Sequence, residues 1–192
     1  MSKYDPLWRR VGGETSHSFV MTFDQIREDP VRNGARQAGT SSSRERCRVP
    51  DRLMVGRART LRDAARLVRR QVFVDEQGVP EDEVFDGADG RAVHVVAFTG
   101  EDPLATARCL ELGSHIWRVG QVAVLEPARG LGTGTLVMRA ALKHIVSCGG
   151  VEIVLAAQSG AAEFYRRLGF AQCAPGDALE SGVVLVPMSL TL

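Results

Sequence analysis

The sequence predicts an α/β fold, and three observations carry that prediction. Segments rich in aliphatic and β-branched residues alternate with segments whose apolar positions recur at helical spacing, in the order β-α-β-β-β-α-β-α-β from residue 53 onward. A glycine-rich turn, Arg129-Gly130-Leu131-Gly132-Thr133-Gly134, stands directly between a strand and a helix. Residues 151–157 are almost continuously apolar, which suits a strand covered on both faces. The bulk figures fit one globular domain plus an extension: 192 residues, 44% hydrophobic, 24% charged, net charge +1.

The elements follow in order. Residues 53–59 read as a strand. Thr60 caps the next helix, with Asp63 in the capping-box position. Leu61, Ala64, Ala65, Val68 and Val72 form its buried face. Residues 75–91 carry Asp75, Glu76, Glu81, Asp82, Glu83, Asp86 and Asp89 among Gly78, Pro80, Gly87 and Gly90, and read as a solvated loop placed to act as a lid. Strands are expected at 92–99 and 104–112, joined by the turn 100–103, and again at 116–124. The glycine turn opens a helix at 133–147 with Leu136, Val137, Ala140, Ala141 and Ile145 inward, and Gly149-Gly150 stops it. After the strand at 151–157, Ser159 caps a short helix that places Ala161, Phe164, Tyr165 and Leu168 on one face and ends at Gly169. Residues 183–191 form the last strand.

Outside this region, residues 1–36 form a short segment and 37–51 a linker rich in Ser, Arg and Gly, leaving 52–192 as the main domain. The first segment has too few apolar residues for a core of its own. A helix is expected over 21–26 with Thr22 as cap, and Trp8 and Phe19 as docking side chains. The arginines of 44–70 read as a solvated face rather than a nucleic-acid surface. Cys47, Cys109, Cys148 and Cys173 make no C-x-x-C pair, which argues against zinc or dithiol chemistry and fits buried thiols in a reducing compartment. No apolar run approaches the ~20 residues of a membrane span, and no secretory signal opens the chain. The expected address is the cytoplasm. No metal site and no membrane or nucleic-acid partner is expected, and a homodimer is left open.

The glycine turn has a physical meaning. Glycine admits positive φ and close approach of a ligand to the backbone. The unpaired N–H groups and the dipole at a helix start attract anions, and Arg129 adds a cation with a planar fork of donors. A P-loop would require a Gly-Lys-Ser/Thr run, and a dinucleotide fingerprint would require glycine where Thr135 stands. Neither is present.

Residues 122–134, with Arg129, Gly132 and Gly134 as R-x-x-G-x-G, resemble motif A of the GNAT superfamily of N-acetyltransferases. Residues 162–170, containing Phe164-Tyr165 and Gly169-Phe170, are similar to the family's F-Y-x-x-x-G-F signature. Residues 72–80, Val-Phe-Val-Asp-Glu-Gln-Gly-Val-Pro, resemble the V-F-V-x-E-Q-x-V-P segment of the ElaA-like branch. The likeness runs over residues 53–192. It implies a mixed, mostly antiparallel sheet with two splayed parallel central strands, helices on both faces, and acetyl-CoA as co-substrate. By the resemblance, Val122, Ala123 and Val124 pair with the pantetheine arm. Arg129, Gly130, Leu131, Gly132, Thr133, Gly134 and Thr135 hold the pyrophosphate, and Gln158 completes the cofactor set. Tyr165 is the implied proton donor to the departing thiolate, and an amine of unspecified identity attacks directly. Glu76 is the leading candidate for amine deprotonation or attraction, with Glu111, His94 and His115 as others. A non-catalytic acyl-CoA-binding module is the alternative.

Two stretches bear on these expectations. Asp86-Gly87-Ala88-Asp89 and His94 keep part of the branch's D-G-x-D and histidine pattern. The branch's G-I-P-H-I-x-M ending is replaced by residues 182–188, which put Val184 and Leu185 where proline and histidine would stand. Residues 3–26 resemble the start of a small bacterial domain and read as its remnant.

Overall fold

The computed structural model describes residues 19–21, 48–175, 177–178 and 184–192, with 19–21 and 177–178 described by backbone alone. Its strands are β1 (Phe19–Met21), β2 (Arg52–Gly56), β3 (Val93–Thr99), β4 (Asp102–Gly113), β5 (Ile116–Val124), β6 (Glu152–Gln158), β7 (Ala171–Gln172), β8 (Asp177–Ala178) and β9 (Val184–Thr191). They form one sheet in the order β1-β2-β3-β4-β5-β6-β9-β7, with β8 also on β9. Every pairing is antiparallel except β5 with β6.

The helices are α1 (Arg59–Arg69), α2 (Glu81–Val84), α3 (Thr133–Ser147) and α4 (Ala162–Arg166). α1 and α3 cover opposite faces of the sheet, because neighbouring residues of β3 feed different clusters. Val93, Val95 and Ala97 pack with Val137, Met138 and Ile145, whereas Val96 packs with Leu61 and Ala65. Each fully buried valine, leucine, isoleucine or methionine side chain of this set contributes about 1.5–3 kcal/mol. α3 ends on Gly149-Gly150 in a Schellman motif, Gly150 N–H donating to the Ile145 carbonyl at 2.9 Å and Gly149 N–H to that of Val146 at 3.0 Å. A Cβ on Gly150 would collide with Ile145 Cγ2 and stand 3.0 Å from Trp117 Cδ1, so only glycine fits.

The parallel pair is short. β5 and β6 are in register only over Ile116–Trp117–Arg118 and Glu152–Ile153–Val154. Beyond these residues the strands part, and among the described residues the edge of β5 from Val119 onward has no strand partner on that side. β4 and β5 shift register between Thr106 and Arg108, where Gln121 takes φ +53°. Such a bulge bends the strand and redirects its backbone groups.

The strand at 116–124 and the helix at 133–147 occupy the predicted bounds. Other expectations need correction. α1 begins at Arg59, with Ala58 (ψ 141°) as its last extended residue and no side-chain cap bond. Thr60 therefore lies inside the first turn, and Asp63 pairs with Arg59 at 3.7 Å instead of closing a capping box. Residues 75–91 are not a plain loop. A π-helical turn, Arg70–Glu76, prolongs α1, and α2 and a short 3-10 turn follow. β6 is not covered on both faces. Ile153, Leu155 and Ala157 are buried toward α3, while Ala156 and Gln158 are exposed on the face that opens over the parted strands. Met21 lies in a strand paired with Leu53 rather than at a helix start. Trp8, Thr22, residues 23–26 and the linker up to Cys47 lie outside the described residues.

Candidate active site

The gap between β5 and β6 is a cleft of about 1100 Å³. Its lining includes Val122, Ala123, Val124, Arg129, Gly130, Gly132, Thr133, Gly134, Thr135 and Gln158, along with Glu76 and Tyr165. Of the residues assigned above to the cofactor, only Leu131 is absent from the lining, its side chain being 40% exposed. Sequence reasoning missed Val119, Gly120 and Gln121 as lining residues. Gln121 owes its place to a bulge that no residue type announces.

The glycine turn reaches the mouth of the cleft through two left-handed residues, Gly130 at φ +73° and Gly132 at φ +80°. A Cβ on either would meet no atom within 4 Å, so the space in front of the turn is open. Leu136 N–H donates to the Gly132 carbonyl at 2.9 Å and starts α3, leaving the earlier N–H groups aimed outward. Thr133 is buried, and its hydroxyl has no partner among the described residues. An open cradle of amides beside an unpaired buried hydroxyl fits a phosphate group.

Arg129 is less free than its sequence position suggests. Its Nε donates to the Val124 carbonyl at 2.9 Å, and its Nη2 is ion-paired with Glu76. Gln158 donates to Gln77 Oε1 at 3.2 Å. These two contacts tie the end of the π-helical turn to both sides of the parted strands. Tyr165 stacks edge-on against Phe164 and Phe170, with ring centroids 4.9 and 6.1 Å away. Burial pushes its phenol up to about 12, so it stays protonated at neutral pH.

The second wall of the cleft comes from residues 72–84, and a buried ionic cluster anchors it. Asp89 is 4% exposed and accepts from Arg69 at 2.9 and 2.5 Å, from Arg108 at 3.1 Å and from Arg66 at 3.3 Å. Asp86 takes both Nη atoms of Arg108 at 2.7 and 2.8 Å. Burial alone would raise the Asp89 carboxyl, but the bonds and charge of Arg69 and then Arg108 outweigh it and hold the group at about 2. The guanidinium of Arg66 stacks on Phe85, 4.1 Å from the ring centroid. Neither the acidic run nor the arginine run is thus a merely solvated face, since Arg69 is fully buried. Arg108 lies opposite Gly120 on β5 and links this anchor to the cleft strand.

The remaining acid–base candidates are elsewhere. His94 is buried against the same cluster, with Nε2 3.1 Å from the Asp89 carbonyl, and burial keeps its pKa low. Glu111 pairs across from Trp117 far along β4, and His115 sits at φ +61° in the β4–β5 turn. None of the three lines the cleft. Of the thiols expected to be buried, Cys109 is, and burial pushes it up to about 12, but Cys148 and Cys173 are exposed. Among the described residues no helix is long and apolar enough to cross a membrane.

Residues 55–192 match the family model of an acetyltransferase (GNAT) domain. The chain is 31% identical to the uncharacterized N-acetyltransferase YjcF of Bacillus subtilis over 116 residues, which are 60% of this chain and 82% of that protein. An acyl-CoA N-acyltransferase structure from Pseudomonas aeruginosa is 30% identical with a TM-score of 0.60, covering 66% of this chain and 87% of its own. Escherichia coli ElaA is 26% identical with a TM-score of 0.59 over the same shares, 66% and 87%.

Proposed function

The chain belongs to the GNAT family of acetyltransferases, and on that premise we propose that it moves an acetyl group from acetyl-CoA to a primary amine by direct attack. The observation that carries the proposal is the parting of β5 from β6 after Arg118 and Val154, with the glycine turn at the open end and Tyr165 inside. Acetyl-CoA supplies an activated thioester. The amides of residues 130–135 and the Thr133 hydroxyl hold its pyrophosphate. The unpaired edge of β5 near Val122 and Ala123 offers backbone donors that polarise the carbonyl and stabilise the developing oxyanion. Tyr165, protonated at neutral pH, gives its proton to the leaving thiolate. Glu76 has two tasks, orienting Arg129 and presenting negative charge to an incoming amine. The match at residues 72–80 supports placement in the ElaA-like branch, with residues 52–192 as the transferase domain.

A thiol-release assay with acetyl-CoA and a panel of primary amines tests the proposal. Amine-dependent release with formation of the acetamide supports it. Saturable acetyl-CoA binding with no release from any amine would leave only a binding module.

A further inference from the structure

Resting on the transferase reading, we propose that residues 72–84 and Leu185 form an acceptor subsite for a primary amine on an apolar body that bears no carboxylate. The cleft, at about 1100 Å³, exceeds the roughly 300–1,000 Å³ of a single-ligand pocket. The β5 edge, the glycine turn and α4 account for the half that holds the cofactor. The opposite wall presents Val72, Phe73, Val79, Pro80, Val84 and Leu185, all apolar. Leu185 faces Gln158 in the β6–β9 register and so lies at the open end of the parted strands. A side chain that departs from the branch's sequence pattern thus helps to set the character of this wall.

Charge gives the subsite its sign. Its ionisable lining residues are Glu76 and Glu83. Glu76 is engaged by Arg129, and Gln77 by Gln158. Glu83 is exposed, and its carboxylate makes no hydrogen bond or ion pair among the described residues. Its neighbour on α2, Glu81, is paired with Arg70. The one cation among the described lining residues is Arg129, already committed to Glu76 and the Val124 carbonyl on the cofactor side. An ammonium approaching the cleft therefore meets an available carboxylate, whereas a carboxylate on the acceptor would meet like charge and no available cation among the described lining residues. The apolar wall favours an aliphatic or aromatic body over a polyhydroxylated or polycationic one. The wall is fixed before the acceptor arrives, because the Asp86 and Asp89 cluster anchors it to α1 and β4.

The test compares acceptors that differ by one feature. Thiol release from acetyl-CoA is measured with 2-phenylethylamine, with phenylalanine (the same body plus a carboxylate) and with spermidine (a polycation without an apolar head). The amine without a carboxylate is expected to exceed both others in kcat/KM by at least about tenfold. Glu83→Gln narrows the gap to phenylalanine, and Leu185→Asn lowers kcat/KM for 2-phenylethylamine while acetyl-CoA affinity holds. Both substitutions fall on incompletely buried side chains, and thermal melting confirms that the variants fold. A preference for phenylalanine or spermidine, or a gap indifferent to Glu83→Gln, overturns the subsite while leaving the transferase intact. Absence of release with every amine, acetyl-CoA binding being retained, overturns both readings.

Discussion

The two halves of the cleft are built on opposite principles. The half proposed for the cofactor is contiguous: residues 119–135 run through β5, the glycine turn and the start of α3, and its proposed ligands are mainly backbone amides. The half proposed for the acceptor depends on distant partners. Residues 72–84 have irregular backbone, a π-helical turn followed by a one-turn helix. What fixes them is the set of buried ion pairs of Asp89 with Arg69 on α1 and Arg108 on β4, joined by a half-buried pair between Asp86 and Arg108. One half should therefore fail in function without failing in stability, and the other should fail in stability first.

The largest expected effect lies in the anchor. Asp89→Ala leaves Arg69 and Arg108 buried with a partner removed, and such a loss costs about 3–5 kcal/mol. Denaturant unfolding should register it, while acetyl-CoA affinity of the remaining folded protein stays near the parent's. A variant that melts normally would show that the cluster anchors nothing.

Next comes the turn. Gly132→Val forces a β-branched residue into φ +80° and fills the open space before the amides. The strain alone is about 1–3 kcal/mol, and acetyl-CoA affinity should fall by about 100-fold or more. Calorimetry reads the affinity, and a melting curve separates the loss from unfolding. Equal losses from Gly132→Val and Asp89→Ala in both measurements would erase the contrast between the halves.

A smaller effect is expected at Tyr165. Tyr165→Phe keeps the ring contacts with Phe164 and Phe170 but removes the proposed proton donor, so turnover should drop by about 10²-fold with acetyl-CoA affinity unchanged. Because the phenol sits at about 12, the alkaline limb of the kcat profile below pH 10 should be the same in the parent and in this variant. Unchanged turnover in Tyr165→Phe would remove the residue from the chemistry.

The acid response is the mildest. Asp89 is held at about 2 in the folded protein against an ordinary 3.8. A depressed carboxylate stabilises the fold fully above its ordinary value and loses that contribution as pH falls through the folded one. Circular dichroism should show stability declining between those limits. Asp89→Asn should flatten that decline, and an identical acid profile would detach it from this residue.

The same contrast explains what the sequence made legible. The glycine turn, the strand before it and α3 were readable because glycine, helix start and apolar period all act within a few residues. Phe164-Tyr165 followed from one helical face. The anchor was not readable: Arg69 and Asp89 looked like members of two solvated charge runs, and only their meeting across 20 residues makes them buried partners. The exposed face of β6 escaped for a similar reason. Its apolar composition suits burial, and nothing local reveals that β5 parts from it. Arg129 lines the cleft, but its pairing with Glu76 is not legible locally, since that contact spans 53 residues.

The most direct test of the central claim is a calorimetric titration of acetyl-CoA into the wild-type protein and the Gly132→Val variant. The account predicts saturable one-to-one binding by the wild type and its loss in a variant that still melts cooperatively. Equal affinity in the two proteins, or no binding by either, would contradict the assignment of the glycine turn as the pyrophosphate cradle.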